Sequence, residues 1–297
     1  MLGNIFMALP EWLSIRPAST EKYAGIKGTV AALGLHTVCT EAHCPNITEC
    51  WSGGTATFMV LGDLCTRGCR FCAVSKKAIG REPDRMEPKK LALAVKEWGL
   101  EYVVVTSVCR DDLADQGAGH FAECIKEIKR ENPKVVVEVL IPDFSSNIEY
   151  LGRITVAKPH VIGHNIETVE RLSPYVRDRR AGYRRSLDVL KACKGLDHSI
   201  YTKSAIMLGM GEKHEEVLQS MKDLREAGVD FLAIGQYLRP TKNHIEVREY
   251  IKPEAFEQLR QEALGLGFRY VASGPFVRSS YKAGEFFLKS MLAAAKE

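Results

Sequence analysis

The sequence predicts an α/β fold, a parallel sheet of βα units curled into a full or partial barrel. Three observations predict it. First, continuous apolar runs alternate with amphipathic stretches about six or seven times between residues 55 and 275, with no repeat or linker between them. Second, the strand-like runs are apolar throughout, as expected when helices cover one face and side chains fill the other. Right-handed βα units in this number point to a barrel. Third, polar strand ends collect where parallel barrels place their chemistry: Thr106-Ser107, His164-Asn165-Glu167, Lys203-Ser204 and Gly235-Gln236.

The elements follow in order. Residues 1 to 35 mix Pro10, Pro17 and several charges without a clean period. They read as an extended arm with short helical pieces, in which Trp12 is either a buried anchor or a surface contact. "TATFMVLGDL" (55–64) reads as a strand running into a cysteine-rich loop. "LALAVKEWGL" is a helix, "EYVVVTSV" a buried strand, "HFAECIKEIKREN" an amphipathic helix and "KVVVEVLIP" a strand. "NIEYLGRITVA" is a short helix, "HVIGHNIET" a strand with a polar end, and "RRSLDVLKACKGL" a helix. "YTKSAIMLGMGE" is a strand entering a Gly-rich loop. The next helix puts Val217, Met221 and Leu224 on one face, and "DFLAIGQYL" is a strand. The last crossover helix starts near Pro253 and presents Phe256, Leu259 and Ala263. "YVASGP" is the final strand and "GEFFLKSMLAAAKE" a terminal helix. The divisions expected are an N-terminal extension over 1–54, the barrel over 55–275 and a C-terminal segment over 276–297.

At 297 residues, with 45% hydrophobic and 26% charged residues, the chain can bury a sizeable core. A net charge of +4 is too mild for a nucleic-acid signature. No apolar run approaches a membrane span, and the N-terminus lacks a basic head and a cleavage site, so the expectation is a cytoplasmic protein. Six of the nine cysteines fall between Cys39 and Cys72. Such clustering argues for a reducing compartment and metal, not disulfides. Cys109, Cys124 and Cys193 read as core residues.

Cys65-Thr66-Arg67-Gly68-Cys69-Arg70-Phe71-Cys72 places three thiols on one short loop with C-x3-C-x2-C spacing. Three soft ligands suit an iron–sulfur cluster or zinc, and a tetrahedral zinc would need a fourth ligand from elsewhere. A second group, Cys39, Cys44 and Cys50, is spaced C-x4-C-x5-C around a turn at Pro45 and Asn46. His43 abuts Cys44 and reads as a surface or supporting residue. Six ligands are too many for one tetrahedral metal, so two separate clusters are expected.

The Cys65 motif, with aromatic Phe71 before its last cysteine, resembles the radical S-adenosylmethionine (SAM) superfamily. Together with "CTEAHCPNITECW", "TSVCRDDLADQGAGHF", "HNIETVERL", "GQYLRPT" and "VASGPFVRSSY", it resembles the lipoyl synthase family from about Leu9 to Gly284. That resemblance implies a partial (βα)6-type barrel with two four-iron clusters. Cys65, Cys69 and Cys72 would hold the cluster that binds SAM. Cys39, Cys44 and Cys50 would hold an auxiliary cluster, with Ser280, the second serine of R-S-S-Y, as its fourth ligand. The implied reaction is that of a sulfurtransferase. It inserts sulfur at C6 and C8 of an octanoyl chain on a lysine of a lipoyl carrier domain, either a 2-oxoacid dehydrogenase E2 or a glycine cleavage H protein. A low-potential electron donor and an iron–sulfur carrier that rebuilds the auxiliary cluster are further implied partners; nucleic acid and membrane are not. The chain departs from the family pattern at Gln116, where D-D-L-x-D is usually followed by Gly-Gly, and at Lys282, where His often follows the serine motif.

An unactivated C–H bond has no acidic proton, so a radical must open it, and the residues supply position and exclusion of solvent. A serine oxygen is a harder donor than thiolate, so weak ligation by Ser280 would let one iron leave as sulfur is used. The bland reading of Ser279 and Ser280 is a helix cap. Asn165 and Glu167 are candidates for SAM's ribose or amino group, Lys203 and Ser204 for its carboxylate, and Arg278 for SAM or the serine loop. The basic run 177–185 is either a solvated face or a docking site for an acidic carrier. Rival readings are a radical enzyme acting on a small molecule such as dethiobiotin, a two-cluster electron carrier, and a zinc module.

Overall fold

The computed structural model describes residues 10–13, 21–42, 44, 46–52 and 57–280. In order the elements are α1 (Glu21–Leu33), β1 (His36–Thr37), α2 (Val38–Glu41), α3 (Ile47–Ser52), β2 (Thr57–Val60), β3 (Leu64–Cys65) and β4 (Ser75–Lys76). Next come α4 (Glu87–Glu97), β5 (Tyr102–Ser107), α5 (Ala118–Glu131), β6 (Val136–Leu140), α6 (Ile148–Val156) and β7 (Val161–Gly163). The last are α7 (Ser173–Val176), α8 (Tyr183–Leu196), β8 (Tyr201–Leu208), α9 (His214–Glu226), β9 (Phe231–Gln236), α10 (Pro253–Gly265) and β10 (Tyr270–Gly274).

The main sheet has the order β1-β2-β5-β6-β7-β8-β9-β10. Only β1 runs antiparallel to its neighbour; the seven strands from β2 to β10 are parallel and are joined by the crossover helices α4, α5, α6, α8, α9 and α10. This is the expected six-unit βα architecture. The sheet curls on itself, since Val104 of β5 and Ala272 of β10 share one packed cluster although they stand far apart in strand order. Among the described residues β10 pairs only with β9, so the barrel is partial.

Sequence chemistry accounts for the elements. Along α5, Phe121, Ile125 and Ile128 recur at helical spacing and are fully buried. Each such side chain contributes about 1.5–3 kcal/mol on burial. Lys129 and Arg130 sit in its last turn, where the helix dipole favours positive charge. In α6 the Asn147 side chain accepts hydrogen bonds from the Glu149 and Tyr150 amides as an N-cap. In β5, Val103 and Val105 face the helices while Thr106 faces the barrel interior.

The N-terminal region differs from expectation. Residues 21–33 form a full helix rather than part of an extended arm. Its apolar residues make no single stripe, and Gly25 and Gly28 weaken the local helical preference, so packing of Ile26 and Tyr23 against Trp51 and Cys39 has to hold it. Trp12 is 39% exposed and does not anchor the arm. The antiparallel β1 was also not anticipated, being only two residues long. The anticipated terminal helix (284–297), His43 and Lys282 lie outside the described residues.

Gln116, the departure in the D-D-L-x-D turn, takes φ +53 and donates its side-chain amide to Ser145 Oγ at 2.9 Å. A glycine suits that left-handed conformation without strain, and Gln116 tolerates it with a side-chain tether. Gly117 beside it cannot be replaced so easily. Its φ is +83, and an added Cβ would come within 2.4 Å of the Leu61 side chain.

Candidate cluster and cofactor site

The cysteine loop is bolted to the barrel rim by charge. It leaves β2 through Leu61, whose φ is +67 and whose amide donates to Glu87 Oε2 at 2.9 Å. The short parallel ribbon β3–β4 brackets it. Inside the loop, Arg67 is 4% exposed and forks onto two carboxylates. It reaches Asp111 at 2.8 Å and Asp143 at 2.6 Å. Burial alone would raise both carboxyls, but Arg67's hydrogen bonds and charge outweigh it and hold them below the usual carboxylate range. The Gly68 amide donates to Asp178 Oδ2 at 2.7 Å, and the Asp178 amide donates to Cys69 Sγ at 3.3 Å. His244 Nε2 lies 3.0 Å from the Cys72 carbonyl. The ends of β5 and β6 and the segments after α7 and β9 therefore all grip one eight-residue loop.

The other triad rides on α2 and α3. Cys39 is buried against Trp51 and Ile26. The Cys44 amide donates to the Cys39 carbonyl at 3.0 Å, and the Cys50 amide to the Asn46 carbonyl at 2.9 Å. Asn46 Nδ2 then donates to the Phe276 carbonyl at 2.7 Å, across 230 residues of sequence. Arg278 is half-buried; desolvation lowers its pKa, and Cys44 is the charge that opposes the shift. Burial raises the Cys39 and Cys44 thiols.

One cavity of about 310 Å³ is lined by the Cys65 loop and by Val38 and Ala42 beside the second triad, while Cys39, Cys44 and Cys50 themselves do not line it. Cys65, Cys69 and Cys72 line it on one side, and Val38, Ala42, Val277, Arg278 and Ser279 on another. Its remaining wall is chiefly apolar, from Met59, Val108, Leu140, Ile141 and Ile206. Phe71 reaches it from a cluster with Val176, Met210 and Tyr237. Asn165 and Glu167 line it together, with Asn165 Nδ2 donating to Glu167 Oε1 at 3.1 Å. Glu167 has φ +67, held by its amide on the Ala205 carbonyl and by the Met207 amide on its own carbonyl. Burial raises its carboxyl against the pull of Arg177. His164 bridges the Ile141 carbonyl and Ser186 Oγ, and burial lowers it to about 4, so it is neutral at pH 7.

Three anticipated placements fail. Lys203 faces the barrel interior but at its floor, where its ammonium sits 2.8 Å from Glu138, itself bonded to Tyr102. Ala205 and Met207, two and four residues on, are the β8 residues of that face at cavity level. Ser204 points the other way and accepts the Ile166 amide at 3.2 Å. Cys109 is no plain core thiol: it lines the cavity with Cys65, and its interaction with that thiol is the leading cause of a lowered Cys65 pKa. Cys124 and Cys193 are buried as expected. Ser279 lines the cavity and Ser280 follows it in the same turn. The basic run also breaks up: Arg177 is buried on Ser186, Arg180 pairs with Asp178, and Arg184 pairs with Glu170, leaving Arg179 exposed. The residues missed from sequence are Asp143, Asp178 and His244. Asp143 alone carried a signal, being an acid just beyond a predicted strand.

The three thiols of the Cys65 loop are soft donors of the kind an iron–sulfur cluster takes. Among the described residues, the group of three metal-ligating side chains gathered within 4.8 Å is Glu87, His120 and Cys124, and neither cysteine triad is drawn so close. Glu87 in that group is engaged by the Leu61 amide and by His120 Nε2 at 2.6 Å.

Comparison with known proteins agrees with this geometry. The family model described as the Radical SAM superfamily matches residues 59–224. "Lipoyl synthase" of Myxococcus xanthus is 53% identical over 285 residues, covering 95% of each chain. "Lipoyl synthase, mitochondrial" of Picea sitchensis is 52% identical over 289 residues, covering 95% of this chain and 75% of its own. Among solved structures, methylornithine synthase superposes with a TM-score of 0.54 at 13% identity, over 86% of this chain and 78% of its own, a likeness of fold alone. Identity this high along almost the whole of both chains, with a SAM-type cysteine loop on a matching barrel, means that the chain belongs to the lipoyl synthase family of radical SAM enzymes.

Proposed function

We propose that this chain inserts two sulfur atoms, at C6 and C8, into an octanoyl group amide-linked to a lysine of a lipoyl carrier domain. In this reading Cys65, Cys69 and Cys72 hold a four-iron cluster that leaves one iron for SAM. Cys39, Cys44, Cys50 and Ser280 hold an auxiliary cluster that is the sulfur source. When bound, these groups supply an electron, a radical able to take hydrogen from an unactivated C–H bond, and sulfide.

The observation that carries the reading is one cavity lined by Cys65, Cys69 and Cys72, by Val38 and Ala42 next to the Cys39 triad, and by Arg278 and Ser279. The chain's own residues then act by placement. Arg67, Asp111 and Asp143 fix the Cys65 loop. Asn165 and Glu167 offer paired polar atoms to SAM's ribose or amino group, and Phe71 offers a flat apolar face. Arg278 offers positive charge beside Cys44. The apolar wall of Met59, Leu140 and Ile206 suits an alkyl chain and excludes water from a reactive site. Lys203 and Ser204 drop out of the SAM set, since both are engaged elsewhere. The natural carriers proposed are a 2-oxoacid dehydrogenase E2 domain or a glycine cleavage H protein, served by a low-potential electron donor and an iron–sulfur carrier. Among the described residues no helix is long and apolar enough to cross a membrane. We read residues 1–54 and 276–297 as extensions on a barrel of 55–275 and the site of action as the cytoplasm.

The test is anaerobic reconstitution with SAM, a reductant and an octanoyl-lysine carrier peptide. The expected product is the peptide carrying two added sulfurs. SAM cleavage with no sulfur gained would overturn the proposal.

A further inference from the structure

Near the end of β9, Gly235 lies in register between Met207 of β8 and Gly274 of β10 and lines the cavity. A Cβ at this position would stand 2.0 Å from the Val277 carbonyl oxygen and 3.0 Å from its carbon. Both are backbone atoms, so no rotamer change relieves the overlap. The absence of that one atom lets the segment after β10 pass directly over the barrel rim. Gly274 makes a contrast on the neighbouring strand. A Cβ there would meet only the Val277 Cγ2 atom, at an ordinary 3.5 Å.

The segment is held at two further points. The Val277 side chain packs on Val104 and Ala272 inside the barrel, and its amide donates to the Gly274 carbonyl at 3.1 Å. From the opposite side, Asn46 Nδ2 donates to the Phe276 carbonyl at 2.7 Å. Arg278 Nη1 turns back to the Val277 carbonyl at 2.7 Å, the same oxygen that occupies the space above Gly235.

We infer that Gly235 and Asn46 form a two-sided seat that positions residues 276–280, and with them Ser280, between the barrel rim and the Cys39 helices. Gly235 acts by making room, Asn46 by a directed hydrogen bond. Neither touches a reacting atom; both are positioning residues. The inference rests on the proposed role of Ser280 for its functional consequence, but the seat itself is a statement about the segment and is testable alone.

Gly235→Ala, Gly274→Ala, Asn46→Ala and Ser280→Ala are compared in the full chain. The first readout is hydrogen exchange in peptides covering 274–280. Gly235→Ala is expected to speed exchange there about tenfold, Asn46→Ala less, and Gly274→Ala not at all. The second is iron release to a chelator from protein in which Cys65, Cys69 and Cys72 are all replaced by Ala, so that only the N-terminal triad is loaded. Gly235→Ala and Ser280→Ala should release iron faster, and the double variant no faster than Ser280→Ala. The third is sulfurs inserted per SAM cleaved, expected to fall about tenfold or more in Gly235→Ala while SAM cleavage continues. Unchanged exchange at 274–280 in Gly235→Ala, or equal effects from Gly235→Ala and Gly274→Ala, would overturn the seat. Fast exchange in Gly235→Ala with unaltered iron release in Ser280→Ala would support the seat while removing Ser280 as ligand. Should Gly235→Ala fail to assemble, Asn46→Ala, which adds no atoms, carries the test, and unchanged exchange there would overturn the inference.

Discussion

The two cysteine regions are held by different means. The Cys65 loop is short and strapped to the barrel by buried charge, with Arg67, Asp111, Asp143 and Asp178 all engaged. The Cys39 region is two short helices leaning on α1 and on a C-terminal segment that meets it through Asn46. One site is a feature of the barrel and the other is assembled from distant parts of the chain. The difference suits their proposed tasks. A loop that must present one open iron repeatedly gains from rigidity, whereas a site whose contents are consumed and replaced gains from a wall that can be lifted.

The largest test of this contrast is all-or-none. Cys69→Ala should abolish reductive SAM cleavage, whereas Cys39→Ala should retain part of it and lose sulfur insertion entirely. Liquid chromatography of 5′-deoxyadenosine beside mass analysis of the peptide reads both. Loss of SAM cleavage from the Cys39 variant alone would reverse the assignment.

Next in size is the charge strap. Arg67→Met leaves Asp143, 1% exposed in its side chain, buried without its cation. Breaking such a pair costs about 3–5 kcal/mol, so thermal or denaturant unfolding should show a large loss. The same strap sets an acid limit. Asp111 and Asp143 have folded pKa values below their unfolded ones, so their stabilisation is complete above the ordinary carboxylate range near pH 4. It drains away as pH falls through the lowered folded values. Unfolding measured from pH 6 downward should steepen below about 4 in the parent and less in Arg67→Met. Parallel acid curves would refute the strap.

A smaller effect separates the serines. Ser280→Cys should still assemble two clusters, because thiolate is a good iron ligand, and still cleave SAM. It should hold the reacting iron too firmly and lower dithiolated product roughly tenfold. Ser279→Ala should be milder. Parent-level product from Ser280→Cys, or a larger loss from Ser279→Ala, would remove Ser280 from its role.

The smallest effect concerns the carrier. With Arg180 and Arg184 already paired, exposed Arg179 and half-buried Arg185, whose guanidinium turns to the Arg180 carbonyl, are left in that run without an ion pair among the described residues. Raising salt from about 50 to about 300 mM should lower activity on an intact carrier domain roughly two- to threefold, and less on a short octanoyl-lysine peptide. Equal sensitivity would sink a docking role for this surface.

What could be read from the sequence divides along the same line as the two regions. The strands of the barrel were legible because they are buried on both faces, which leaves uninterrupted apolar runs such as Val103–Val105. The helix over 21–33 was not, because its interactions come from Trp51 and Cys39 and not from its own periodicity. At the site, the sequence grouped Lys203 with Ser204 as one polar strand end but gave neither their facing nor their depth, and depth decides for Lys203 between the cavity and Glu138 at the floor. Cys109 was misread for a related reason. Its neighbour is Cys65, brought in by the Thr66 amide on the Cys109 carbonyl at 2.9 Å, a contact between separate loops that no local spacing encodes.

The bond from Asn46 to Phe276 has a consequence for biogenesis. A contact spanning 230 residues closes late, since synthesis runs from the N-terminus and long-range closures are slow. While a nascent chain is being made, Cys39, Cys44 and Cys50 are therefore present long before the segment that walls them in. The Cys65 loop, by contrast, has all but its Asp178 and His244 anchors by residue 143. Each newly made molecule passes through a stage with its barrel half built and its N-terminal thiols uncovered. Under the proposed two-cluster reading that stage is the natural moment for loading the auxiliary cluster, and it is also the moment at which those thiols are most open to oxidation.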